Sequence, residues 1–69
     1  MTNEDAKEIK RLLSIRVADM VDKNSCQSLI NKYINEGAKY CMTCDPAVIQ
    51  MFKTLRNWAT ENGLVKTNE

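Results

Sequence analysis

The stretch Cys41-Met42-Thr43-Cys44-Asp45-Pro46, with the residues that follow it, restricts the fold more than any other part of the chain. Asp45 can accept from the unpaired N–H groups of a first helical turn, and Pro46 loses nothing there by lacking its own. Cys44, just ahead of that cap, is placed to staple against Ile49. Beyond it Val48, Phe52, Leu55 and Ala59 recur at three- and four-residue steps, with Met51 and Trp58 on one side and Ile49 on the other. At ~100° per residue, these seven side chains cover roughly half of a helix circumference. Gln50, Lys53, Thr54, Asn57 and Glu61 take the other half. Gly63 after Asn62 is a left-handed terminator, and Leu64-Val65 can fold back over the last turn. A helix over 46–62 is predicted. Its apolar face is too broad for one thin partner to cover.

The upstream chain supplies the cover. A first helix is predicted over 3–22, with Glu4, Asp5 and Glu8 suiting the positive end of its dipole. Ile9, Leu12, Leu13, Val17, Met20 and Val21 form its apolar stripe. Two residues break the pattern: Arg16 falls inside the stripe and Ile15 points away from it. Either Arg16 reaches solvent or pairs with Asp19, or this edge meets a partner that takes up both residues. Asp22-Lys23-Asn24-Ser25 reads as a connection, with Asn24 and Gln27 resembling a capping box. A second helix over 25–36 stops at Gly37 and buries Cys26, Leu29, Ile30, Tyr33 and Ile34. Tyr40 and Met42 tuck beneath the helices, and a tail from about residue 66 frays. With no strand-like alternation or internal repeat, the expected architecture is all-α: one compact three-helix domain over 1–69.

Size and charge narrow the function. A chain of 69 residues buries only ~60% of its unfolded surface, so it gains from a partner or from self-association. Ten basic and nine acidic side chains leave a net charge of +1, which suits neither a nucleic-acid mimic nor a polybasic binder. Histidine is absent, removing the commonest general base and metal ligand. No apolar run approaches the ~20 residues that span a bilayer, and the polar, acidic N-terminus does not resemble a signal peptide. Three cysteines without an export signal point to the cytoplasm and reduced thiols.

Four chemistries remain to be weighed. Catalysis lacks a Ser/His or Cys/His pair and a Gly-rich phosphate loop, so a non-catalytic protein without a cofactor is expected. Cys41-x-x-Cys44 suggests redox work, but it lacks the usual strand–helix setting. Cys26, Cys41 and Cys44 make a zinc alternative that is one ligand short of the usual four. Nucleic-acid binding would use Lys53, Arg56 and Asn57 on the third helix, with Lys7, Lys10 and Arg11 as a second basic face. The connection from Gly37 to Asp45 is too long for a helix-turn-helix, and Glu4 and Glu8 lie among the basic residues of that face. The reading preferred is a protein-binding or self-assembly module, a homo-oligomer by expectation, with Ile15, Arg16, Met51 and Trp58 as contact residues.

Overall fold

A computed structural model describes residues 2–65 as three helices. They are α1 (Asn3–Ser14), α2 (Met20–Tyr33) and α3 (Asp45–Glu61), with no strand among the described residues. The all-α three-helix reading holds. The expected frayed tail lies outside the described residues.

The helix boundaries differ from the predicted ones in one instructive place. The Thr2 hydroxyl accepts from the Asp5 N–H at 3.1 Å and caps α1, which starts at residue 3 as predicted. The helix then ends at Ser14 instead of running to 22, because Ile15 is extended at φ −79°, ψ 151°. Its last-turn carbonyls find other donors: Ser14 Oγ reaches Arg11 O at 2.8 Å, and Arg56 of α3 reaches Leu13 O at 2.9 Å. A fresh helix begins at Met20, after five connecting residues. Asp19 accepts from the Asp22 N–H at 2.9 Å while the Asp22 carboxylate accepts from the Asp19 N–H at 3.3 Å. This reciprocal capping box satisfies two orphan donors at once. The predicted connection over 22–25 therefore lies inside α2. Val17, Met20 and Val21, expected in a buried stripe, are exposed, Val17 to 84%.

α2 also ends earlier, at Tyr33 rather than 36. The Asn31 carboxamide donates to the carbonyls of Asn35 at 3.0 Å and Ala38 at 2.7 Å, holding the following loop against α2 on both sides of Gly37. α3 lies one residue ahead of its predicted 46–62 at each end. Cys44 is the N-cap, since Val48 N–H bonds its carbonyl at 3.0 Å, and Asp45 sits in the first turn beside Pro46. The expected Cys44–Ile49 staple is absent; Cys44 is exposed and Ile49 is 66% exposed.

The end of α3 is a Schellman motif. Leu64 N–H bonds Ala59 O at 2.9 Å, Gly63 N–H bonds Thr60 O at 3.2 Å, and Gly63 has φ +74°. A Cβ at Gly63 meets nothing within 4 Å, so its cost is backbone conformation alone. Gly63→Ala is expected to lower stability by ~1–2 kcal/mol. Gly37→Ala, equally uncrowded, should be near neutral; urea melts of both variants check the contrast.

The core comprises Ile9 and Leu12 from α1, Cys26, Leu29 and Ile30 from α2, and Met51, Leu55 and Ala59 from α3. Met51 is 0% exposed. It sits at the centre of the broad α3 face and not at its rim, so it is not the contact residue expected of it. Tyr40 and Met42 pack against this core as predicted.

Polar ties clamp the helix ends. Asp5 accepts from Lys32 Nζ at 2.7 Å and from the Tyr33 hydroxyl, joining the start of α1 to the end of α2. Arg11 bridges Glu8 at 2.6 Å and Asp22 at 2.8 Å, joining α1 to the start of α2. The Lys32 and Tyr33 hydrogen bonds hold the Asp5 carboxyl below its usual 3.8. Hydrogen bonds from Arg11 hold Glu8 below 4.5 and Asp22 below 3.8. Carboxyls depressed by folding stabilise the fold above their unfolded pKa and lose that contribution as pH falls through the folded value. The melting temperature is expected to be flat above about pH 5 and to decline below about pH 4. Asp22→Asn should shrink the decline, which a series of thermal melts from neutral to acid pH would show.

Candidate functional site

The early end of α1 leaves a gap, and that gap is a concavity of the described surface. A groove of about 460 Å³ runs between the end of α1, the 15–18 segment and the first turns of α3. Leu13, Ile15, Val48 and Phe52 line it, each half-buried and packed against the core. Ile49, Phe52, Lys53 and Arg56 follow an i, i+3, i+4, i+7 pattern, so one stripe of α3 faces the opening. Three cations border the apolar floor: Arg16, Lys53 and Arg56. No carboxylate lines it.

Local structure positions each of these groups. The extended Ile15 backbone turns its side chain inward, where a continued helix would have held it out. Arg56 is fixed by its bond to Leu13 O, which leaves the rest of its guanidinium donors at the rim. Arg16 and Lys53 are exposed and make no ion pair among the described residues; Asp19, expected to pair with Arg16, caps α2 instead.

The expected contact residues separate. Ile15 and Arg16 meet in the groove, with Lys53 and Arg56 from the nucleic-acid set beside them. Met51 is buried. Trp58 stacks on Tyr33 with ring centroids 5.6 Å apart and planes 24° apart, on another side of α3, above a shallow depression with Asn62 and Leu64. Of the remaining basic set, Asn57 is exposed outside the groove lining, Lys7 and Lys10 are exposed on α1, and Arg11 is occupied by Glu8 and Asp22. Periodicity alone could not unite Ile15 with Lys53. The signal that could have done so is the phase slip at Ile15-Arg16 followed by Asp19-x-x-Asp22, which marks a helix end and a new start.

The thiols also separate. Cys26 lies in the core, where burial pushes its pKa up to about 12. Cys41 and Cys44 are exposed on the turn before α3. No group of three or more Cys, Asp or Glu side chains suited to a metal occurs among the described residues, so the three-thiol zinc set is not assembled. No helix among the described residues is long and apolar enough to cross a membrane.

What fold and groove define is a small three-helix module with a cation-bordered apolar groove. No protein-family model, curated protein or solved structure matches this chain.

Proposed function

We propose that this chain is a non-catalytic binding module that takes an amphipathic helix of a partner protein into the groove between α1 and α3. The observation that carries the reading is the pairing of an apolar floor with three bordering cations and no carboxylate. An apolar helix face supplies anchors at i, i+3 or i+4, and i+7 for such a floor. Acidic residues flanking that face would meet Arg16, Lys53 and Arg56, steering association and fixing orientation. Burying the groove residues and Ile49 would also extend a core that is small for an independent domain. The reducing cytoplasm is the setting that suits the unpaired thiols.

A phosphate backbone fits less well, because the groove floor offers it apolar carbon where it needs donors. A second copy of the chain is the other competing occupant, and three measurements separate the readings. Helical peptides with randomised faces are selected on the chain from a display library, and the winners are synthesised. Winners with apolar anchors and Glu or Asp flanks that compete for one site support the proposal. Winners without acidic flanks overturn it. So does salt-sensitive binding of a duplex oligonucleotide that displaces them. Sedimentation at rising protein concentration decides the remaining case, since a dimer dissociated by Ile49→Asp would make the groove a self-assembly surface.

A further inference from the structure

The Cys41/Cys44 pair plays no part in the groove and stands exposed on a hydrogen-bonded turn ahead of α3. Cys44 N–H bonds Cys41 O at 3.3 Å, closing a four-residue turn over 41–44. Such a turn holds its end Cα atoms within ~7 Å, and a disulfide spans ~4.4–6.8 Å. The turn is pinned from both sides of Cys41. Tyr40 N–H donates to Gln27 Oε1 at 2.9 Å, and Lys23 Nζ donates to Met42 O at 3.0 Å, so α2 fixes the backbone that carries the thiols. Both thiols are solvent-exposed and unpaired, whereas Cys26 is sealed in the core.

We propose that Cys41 and Cys44 form a surface thiol–disulfide exchange site, with Cys41 the attacking thiol and Cys44 the resolving one, acting on low-molecular-weight or protein disulfides. Two neighbours set the polarity of the pair. The Thr43 hydroxyl lies 3.4 Å from Cys41 Sγ and can donate to its thiolate. Cys44 instead adjoins the Asp45 carboxylate. Hydrogen bonding from Cys44 and then Thr43 brings Cys41 down from 9.0 to about 7, while the Cys41 sulfur, burial and Asp45 raise Cys44.

The exchange balances in two steps. Cys41 thiolate attacks one sulfur of a disulfide RSSR, forming a Cys41–SR mixed disulfide and releasing RS⁻. Cys44 then gives up its proton to solvent and its sulfur attacks Cys41 Sγ, closing the Cys41–Cys44 disulfide and releasing the second RS⁻. The chain is oxidised by two electrons, and RSSR is reduced to two thiols. Reversal needs only a reduced thiol in excess.

Reactivity at neutral pH follows from two opposed effects. Lowering the pKa by about two units raises the thiolate fraction roughly 50-fold, while the weaker nucleophile loses roughly eightfold, leaving a net gain of about sixfold.

The test uses the full chain, reduced, then equilibrated with mixtures of oxidised and reduced glutathione, quenched in acid, alkylated and mapped by mass. Expected is the joint loss of the Cys41 and Cys44 thiols, a chain two hydrogens lighter, and Cys26 alkylated only after denaturation. Cys44→Ser should trap one glutathione on Cys41, and Cys41→Ser should load Cys44 more slowly. Thr43→Val should narrow that gap, and Cys26→Ser should change nothing. Stable glutathione adducts on the unaltered chain would overturn the proposal. So would disulfide-linked dimers as the main product, faster loading of Cys44 than of Cys41, or thiols that stay reduced throughout.

Discussion

Leu55→Ala is expected to leave a large share of the chain unfolded at room temperature. Leu55 is 0% exposed on the centre line of α3, packed among side chains from all three helices. Truncating such a residue costs ~2–5 kcal/mol, counting the transferred atoms and the cavity left behind. At ~0.05–0.15 kcal/mol per residue, a chain this long holds ~3–10 kcal/mol in total. The loss is therefore a large fraction of all the stability present. Urea unfolding followed by Trp58 fluorescence should show a midpoint moved sharply down, or no folded baseline at all. Ile49→Ala, six residues away and 66% exposed, should change stability by less than ~0.5 kcal/mol. Similar effects at the two positions would mean that α3 buries a different face.

The second large effect is expected in binding, with stability preserved. Ile49→Asp puts a carboxylate on the exposed edge of the groove, where it meets no buried group in the free chain. Against a bound helix with acidic flanks it loses an apolar contact and adds repulsion, so affinity should drop at least tenfold, which is ~1.4 kcal/mol. Arg16→Glu and Lys53→Glu should act in the same direction, chiefly by slowing association, and their effects should shrink as salt rises. Arg56 is a poorer test, since reversing it also removes the cap on Leu13 O. Titration calorimetry with a selected peptide, paired with a melt of each variant, separates lost binding from lost folding. An Ile49→Asp variant that melts normally and binds normally would place the partner elsewhere.

Much of this fold is legible in the residues, and its failures have a common physical cause. α3 could be read at both ends because its signals agree: Asp45-Pro46 at the start, an unbroken apolar face, and Gly63 at the stop. The core side of α2 was equally plain in Cys26, Leu29 and Ile30. The error lay where helix propensity ran on without a Gly or Pro to interrupt it. Residues 3–22 look like one helix by propensity, yet a side-chain capping box at Asp19 and Asp22 outcompetes continuation. Val17, Met20 and Val21 still fall in phase with the earlier stripe, which disguises the break. Ile15 and Arg16, out of phase, recorded it. The site followed from the same event: two of its residues were suspected as a pair, but their neighbours on α3 depend on a gap that only the folded chain creates. Met51, expected at the rim, is buried because the wide α3 face does not reveal which of its edges the other helices cover.

Amide chemical-shift mapping tests most directly whether a partner helix occupies the groove opened by the end of α1 at Ser14. A ¹⁵N-labelled sample of the full chain would be titrated with a selected acidic amphipathic peptide. The expected result is a contiguous set of shifted amides over residues 12–18 and 48–56, with Tyr33, Trp58 and Leu64 unmoved. Shifts centred on Trp58, on the 7–11 face of α1, or spread evenly over the molecule would contradict it.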